Sequence, residues 1–198
     1  MSLFKQDLSQ ESILQRFLDL KYTQADIHFC RLHEPEFQQR GVDVVLLEGD
    51  NLLKVDEKAQ LHYLNKSLPT FAFELDYLKN GKLKEGWLFD PSKTTEAYAL
   101  VFDIQLCPGL SKLTQPTDIA SCEVLFLNRQ HLIDTTQQHG LTREFCQQQS
   151  YMLRQNPEQR KIVVSPNFNF QISTQLAEAP VNLIVRRTFL KSISWRVL

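Results

Sequence analysis

The hydrophobic pattern in the first third of the chain is centred on a Gly-Asp pair, Gly49-Asp50. Two apolar, β-branched runs flank residues 48–51, and a Gly-Asp pair between such runs predicts a two-residue hairpin loop. In this register Asp43 on the first strand faces Asp56 on the second. A four-residue loop centred on the same point gives the same pairing.

The predicted hairpin brings two carboxylates together. Directly opposite residues share a face of the sheet, and unpaired carboxylates about 5 Å apart repel by roughly 3 kcal/mol at an effective dielectric constant of about 20. Lys58 lies on the same face because side chains alternate along a strand, and Glu57 is expected to point to the other face, outside this cleft. Protonation of one acid, the charge of Lys58, or a bound Mg²⁺ or Mn²⁺ ion can each relieve the repulsion.

The segment before the hairpin predicts an amphipathic helix, with Asp7 as a candidate N-cap. Four apolar residues recur at helical spacing: Ile13, Leu14, Phe17 and Leu18. Glu11 lies about a quarter turn from the centre of this stripe, so it can reach the edge of the core near the sheet. A glutamate near a helix start is also favoured by the helix dipole, so a purely structural role is an equal alternative.

Further strands and helices are predicted downstream. Residues 70–78 alternate as a strand and return through Asn80-Gly81, the strongest short hairpin signal in the chain. Residues 98–104 are apolar apart from Asp103, which predicts a central strand covered on both faces. The second half predicts a strand at 122–127, helices at 129–139 and 142–155 with Thr142 as a cap, and short strands at 161–165, 168–172 and 181–185.

Asp43, followed after a hairpin-sized gap by Asp56-Glu57-Lys58, resembles the motif of the PD-(D/E)xK nuclease superfamily. In that pattern an acid at the start of one strand pairs with an acid-x-Lys triplet on the next strand. Val42 replaces the usual proline before the first acid. The resemblance is strongest over about residues 11–104. It implies an α/β (α+β) fold with a restriction-endonuclease-like mixed β-sheet flanked by helices.

The resemblance also implies an activity, that of a metal-dependent phosphodiesterase whose products carry a 5′-phosphate and a 3′-hydroxyl. Asp43 and Asp56 would hold Mg²⁺ or Mn²⁺ and Glu11 would complete the ligands. Lys58 would position or activate water and stabilise the transition state. Four residues are candidate substrate contacts: Gln60, which follows the motif on the same face, and the basic Lys93, Arg186 and Arg187. The expected partner is nucleic acid, with DNA favoured over RNA. A homodimer is one possible assembly.

The chain of 198 residues is long enough for one domain with an elaborate second half. We expect the nuclease core in residues 1–105 and, in residues 106–198, an α+β elaboration that packs on the same domain and is a candidate contact for nucleic acid. The interval between Phe89 and Tyr98 is short for the crossover helix that usually precedes the central strand of this family.

The composition is that of a globular protein. The formal net charge of −1 argues against a protein that coats nucleic acid nonspecifically. No apolar run approaches the roughly 20 residues of a membrane span, and the first residues lack the features of a signal peptide. The four cysteines are scattered without ligand spacing. These features predict a cytoplasmic protein with reduced thiols.

Two other classes of function stay open on the sequence alone. The main alternative to a nuclease is a catalytically inactive, nuclease-like module that binds nucleic acid or protein and uses the hairpin acids as surface charge. The near-neutral charge and the lack of a separate DNA-reading motif favour it. The third is a metal-dependent enzyme that acts on a small phosphorylated substrate.

Overall fold

A computed structural model describes the backbone of residues 3–198 and the side chains from residue 9 onward. The side chain of Asp7, the predicted N-cap, lies outside the described residues. The helices are α1 (Leu3–Gln24), α2 (Pro35–Gln39), α3 (Arg129–Gln138), α4 (Arg143–Gln155) and α5 (Arg187–Ser192). The first strands are β1 (Phe29–Arg31), β2 (Val44–Glu48), β3 (Asn51–Ala59), β4 (Thr70–Lys79), β5 (Lys82–Glu85) and β6 (Ala97–Leu106). The later strands are β7 (Ile119–Asn128), β8 (Lys161–Val163), β9 (Phe168–Ile172), β10 (Val181–Arg186) and β11 (Arg196–Val197).

The architecture is α+β, with one mixed and one antiparallel sheet, and the chain forms two compact units. The first unit consists of Met1–Leu68, Thr95–Arg129 and Ser194–Leu198, and the second of Pro69–Thr94 and Gln130–Ile193. These units do not follow the expected boundary at residue 105. Strand β4 belongs to the second unit and β7 to the first, because strand pairing groups segments that are distant in the chain.

The first unit contains a six-stranded sheet in the order β1-β2-β3-β6-β7-β11, in which β3 and β6 are parallel and the other pairs antiparallel. Glu48 pairs with Asn51 and Val44 with Val55, so the predicted register of the hairpin is confirmed. Gly49 has a φ of +60°, which glycine adopts readily and which a two-residue hairpin loop requires.

Helix α1 covers one face of this sheet. Its buried residues Leu14, Leu18 and Tyr22 pack in one core with Val44 and Val55 of the hairpin. The first six positions of β6 are buried on both faces, which confirms the predicted central strand. The segment between β3 and β6 contains a 3₁₀ turn and the β4–β5 hairpin but no α-helix, in agreement with the short interval before Tyr98.

The second unit contains a five-stranded antiparallel sheet in the order β5-β4-β10-β9-β8, with α4 packed against β4, β9 and β10. The hairpin predicted at Asn80-Gly81 joins β4 to β5 and is confirmed. After β5 the chain turns close to β4 at Gly86. A Cβ atom there would lie 2.3 Å from the carbonyl oxygen of Glu74, so the approach requires glycine.

None of the helices in the described part of the chain combines the length and the apolar character needed to cross a membrane.

Candidate active site

Asp43 lies where β2 begins and is held by the backbone of β3. Its N–H donates to the carbonyl oxygen of Val55 over 2.9 Å, and its Oδ2 accepts from the N–H of Glu57 over 2.8 Å. Strand β2 pairs with β3 only as far as Val55, so the backbone N–H of Glu57 has no strand neighbour on this side. The carboxylate of Asp43 therefore takes the place of a carbonyl of a neighbouring strand, and this fixes its position.

Asp56 is the most buried acid among the described side chains of the first unit, with 3% of its surface exposed. Its Oδ1 lies 2.7 Å from Nζ of Lys58, whose side chain is 31% exposed. Burial raises the pKa of Asp56 to about 7; Lys58 opposes this rise, and the charge and hydrogen bond of the adjacent Asp43 add to it. Asp43 and Asp56 therefore lie next to each other, as predicted. The ion pair with Lys58 only partly offsets the free-energy cost of burying Asp56 beside a second acid.

Lys58 lies in a predominantly negative environment. Burial lowers the pKa of its ammonium group, but the carboxylates of Asp56, Asp43 and Glu11 together outweigh burial and raise it. The ammonium group is therefore held in its charged form.

A cavity of about 200 Å³ contains these groups. It is lined by side chains from α1, from α2 and from both strands of the hairpin. Its polar lining residues are Glu11, Gln15, Gln38, Asp43, Asp56, Glu57 and Lys58. Arg31 neutralises Glu57, so the other three acids and Lys58 leave a formal charge of −2 if those acids are ionised, and the cavity attracts cations and repels free phosphate.

Glu57 lines this cavity as well, so the expectation that it lies outside the cleft is wrong. Its side chain does turn toward α1, as the alternation of β3 requires. From Glu57 to Ala59, however, β3 pairs with β6 and not with β2. At this unpaired edge of β3, residues whose side chains point to opposite faces of the sheet all border the cavity.

The carboxylate of Glu57 is held by a buried network across three elements. It accepts from the hydroxyl of Tyr22 over 2.7 Å and from Nη1 and Nη2 of Arg31 over 2.7 and 3.0 Å. Nε of Arg31 donates to Asp19 over 2.7 Å. Burial raises the pKa of Glu57, and Arg31 and Tyr22 oppose that rise. Because the N–H of Glu57 binds Asp43, this network also fixes the backbone that orients the first acid.

The structure therefore brings Glu11, Asp43, Asp56 and Lys58 together in one cavity. Gln60 follows directly on β3, at the start of a 3₁₀ turn, and does not line the cavity.

The other predicted substrate contacts, Lys93, Arg186 and Arg187, belong to the second unit. There Nε of Arg186 donates to the carbonyl oxygen of Pro166 over 3.2 Å, and the N–H of Arg187 donates to that of Pro69 over 2.8 Å.

Two neighbouring residues just before the central strand anchor the hairpin. The hydroxyl of the buried Thr95 donates to the carbonyl oxygen of Gly41 over 2.5 Å, and the carboxylate of Glu96 accepts from the N–H of Lys54 over 2.8 Å. In the sequence, the one indication of a role for Thr95 and Glu96 was their position just before the central strand. For Arg31 the signal was Glu57 itself, because a charge on the core-facing side of a strand needs a partner.

Two carboxylates from adjacent strands fit Mg²⁺, which is commonly bound through one or two carboxylates and completes its shell with water and substrate phosphate. Among the described residues, no group of three or more His, Cys, Asp or Glu side chains is arranged to hold a metal ion. Glu11 lines the cavity without forming such a group with the two aspartates.

Comparison of the chain with protein-family models, with curated proteins and with solved structures yields no match.

Proposed function

We propose that this protein is a metal-dependent nuclease of the PD-(D/E)xK kind, which hydrolyses phosphodiester bonds of DNA in preference to RNA. The observation that carries the proposal is the contact between Asp43 and the buried Asp56, with Lys58 paired to Asp56 at the wall of one cavity. A buried acid that stays incompletely compensated is costly, and such groups cluster at functional sites.

The charge of the cavity supports a role for a divalent ion. A phosphodiester is an anion. With Glu57 neutralised by Arg31, the lining still has three acids and one lysine, and it repels the phosphodiester unless a cation neutralises the acids. Asp43 and Asp56 would hold Mg²⁺ or Mn²⁺. When bound, such an ion polarises a phosphoryl oxygen and lowers the pKa of a bound water molecule.

The protein side chains then have distinct roles. The N–H of Glu57 keeps the carboxylate of Asp43 in place, and the ion pair with Lys58 orients the carboxylate of Asp56. The partly exposed ammonium group of Lys58 donates to a non-bridging phosphate oxygen and stabilises the charge that develops in the transition state. Glu11, close enough to influence Lys58, adds to the negative field.

The order of the first sheet is compatible with this proposal. Its mixed strands carry the first acid at the start of β2 and the acid-x-Lys triplet on β3, with α1 against one face. A restriction-endonuclease-like core in the first unit is part of the proposal.

The test is cleavage by the purified protein of plasmid DNA, single-stranded DNA and RNA, with Mg²⁺, Mn²⁺ or EDTA. Asp56→Ala and Lys58→Ala are expected to lower the cleavage rate by about 10²–10⁴-fold. Asp50→Ala and Lys54→Ala are matched controls on exposed positions of the same hairpin and should keep the rate of the parent. If no metal binds and the parent cleaves none of the three substrates, the proposal fails.

The main alternative is a catalytically inactive, nuclease-like module for binding nucleic acid or protein. Its specific support is that no third His, Cys, Asp or Glu side chain in the described part of the chain joins the two aspartates as a ligand set. Binding of DNA without cleavage, unchanged in Asp56→Ala, would select this alternative.

A further inference from the structure

A second cavity, of about 430 Å³, lies within the second unit between the β4–β5 hairpin and α4. It is separate from the residues of the candidate active site. Its lining residues are Leu75, Asp76, Leu83, Lys84, Glu85, Phe89, Arg143, Cys146, Gln147, Ser150, Tyr151 and Arg154. Its size falls within the range of about 300–1,000 Å³ that is typical of sites for small molecules.

Much of the cavity wall is apolar, and two of its apolar side chains are left uncovered. Leu75 and Phe89 come from the strand side and Cys146 from α4. At the mouth, Leu83 is 56% and Tyr151 is 64% exposed. Large apolar side chains gathered around a concave opening are a common feature of ligand sites.

A β-bulge in β4 adds a polar group to this wall. The pairing with β10 shifts between Val181, opposite Asp76, and Asn182, opposite Glu74, so that Leu75 is the additional residue. A bulge re-aims side chains, and here Leu75 and Asp76 are both buried. Asp76 accepts from the hydroxyl of Ser150 and from Nη2 and Nε of Arg154.

The charges around the cavity leave one cation in excess. Arg154 is neutralised by Asp76 and Arg143 by Glu85. Lys84 has no carboxylate within ion-pair distance among the residues that the structure describes. Nη1 of Arg154 likewise makes no hydrogen bond within the described part of the chain, although the side chain of Arg154 is only 15% exposed. The lining thus combines an apolar wall, one net positive charge and an unused donor on a side chain that is 15% exposed.

We propose that this cavity binds a small amphipathic anion, an aromatic or aliphatic molecule with a single acidic group. The apolar body would pack between the strand side and α4 against Leu75, Phe89 and Tyr151. The acidic group would accept hydrogen bonds from Lys84 or from Nη1 of Arg154. The site belongs to the second unit alone, so the proposal is independent of cleavage at Asp43 and Asp56.

Two fluorescent probes with nearly the same aromatic body test both parts of the proposal. Anilinonaphthalene sulfonate carries one negative charge and phenylnaphthylamine carries none. The parent protein is expected to bind the sulfonate more tightly. Lys84→Glu should raise the Kd of the sulfonate by about five-fold, through loss of attraction and added repulsion, and leave the Kd of the neutral probe unchanged. Lys82→Glu, on the same strand and outside the cavity lining, is the matched charge control and should change neither Kd.

The location is tested by partly filling the mouth of the cavity. Gln147→Trp adds a large side chain at a lining position of α4, whereas Gln148→Trp adds the same group at an exposed position outside the lining. We expect Gln147→Trp to weaken both probes at least about ten-fold and Gln148→Trp to weaken neither. Urea unfolding of each variant checks that the fold is intact. Binding that persists in Gln147→Trp, or responds equally to Lys82→Glu and Lys84→Glu, would overturn the proposal.

Discussion

Each unit buries one aspartate on a strand, and the two aspartates differ in the groups that compensate their negative charge. Asp56 in the first unit is 3% exposed and Asp76 in the second is 8% exposed. Asp76 receives hydrogen bonds from a serine and an arginine on α4, a different element. Asp56 is paired with a single lysine on its own strand and lies beside a second acid, Asp43.

The difference separates a structural acid from a candidate functional one. The contacts of Asp76 join a sheet to a helix, so its burial is balanced by hydrogen bonds that hold the second unit together. Among the described residues, the side-chain hydrogen bonds of Asp56, with Lys58 and Asp43, stay within the β2–β3 hairpin. A buried acid whose charge is only partly compensated, and whose hydrogen bonds do not join distant elements, is typical of a catalytic or cation-binding site.

The largest predicted effect is on the arginine of the second unit. Arg154→Met leaves Asp76 buried without its cation and the carbonyl oxygen of Ala179 without its donor, so it should lower the free energy of unfolding by about 5 kcal/mol. Urea unfolding measures this loss. Arg160→Met, at an exposed position of the same unit, is the matched control and should cost about 0.5 kcal/mol or less.

The double variant Asp76→Leu with Arg154→Met sharpens the same comparison. It removes both charges from the interior, so it should be more stable than Arg154→Met alone. A single Arg154→Met variant as stable as the Arg160→Met control would show that Asp76 is not a structural acid.

The second predicted effect is the pH dependence caused by Asp56. The pKa of Asp56 is about 7 in the folded protein and 3.8 in the unfolded chain. The stabilising contribution of the protonated carboxyl group is therefore complete below about pH 4 and is lost as the pH rises through 7. The gap of about three units corresponds to a loss of up to about 4 kcal/mol. Urea unfolding between pH 4 and 8 should show Asp56→Asn gaining stability relative to the parent as the pH rises.

Asp43→Asn is the companion variant for this measurement. It removes the neighbouring charge and so lowers the pKa of Asp56, which should shift the loss of stability to lower pH. An equal pH dependence in the parent and in Asp56→Asn would refute the view that Asp56 is an incompletely compensated acid.

The smallest predicted effect concerns the cap of α4, the helix that carries Ser150 and Arg154. The hydroxyl of Thr142 accepts from the N–H of Phe145 over 3.2 Å, as expected of an N-cap. Thr142→Ala should lower the free energy of unfolding, measured by urea unfolding, by about 1 kcal/mol. Thr142→Ser should keep most of the stability of the parent. A larger loss in the serine variant than in the alanine variant would contradict the capping role.

Local patterns explain which parts of the structure could be predicted from the sequence. The facing of Asp43 and Asp56 follows from a short loop and the period of a strand, and the structure has the register on which it was based, from Glu48 opposite Asn51 to Val44 opposite Val55. The N-cap Thr142 and the Asn80-Gly81 hairpin are equally local and are also present.

The parts that could not be predicted depend on contacts between distant residues. Arg31 reaches Glu57 across 26 positions, and Arg154 reaches Asp76 across 78. No periodicity encodes such pairs, and both required a knowledge of which strands and helices are neighbours. The two units likewise combine segments from both sides of residue 105, because strand pairing groups residues that are close in space and not only along the chain.

The three-segment composition of the first unit has a consequence for protein synthesis. Its sheet needs β3, then β6 and β7, and finally β11 at the end of the chain, with the segments of the second unit made in between. A ribosome therefore releases the last strand of the first unit after every residue of the second. Fragments made by cutting the chain once cannot contain one unit whole without pieces of the other, so limited proteolysis or expression of residues 1–105 would not isolate the hairpin in a complete sheet.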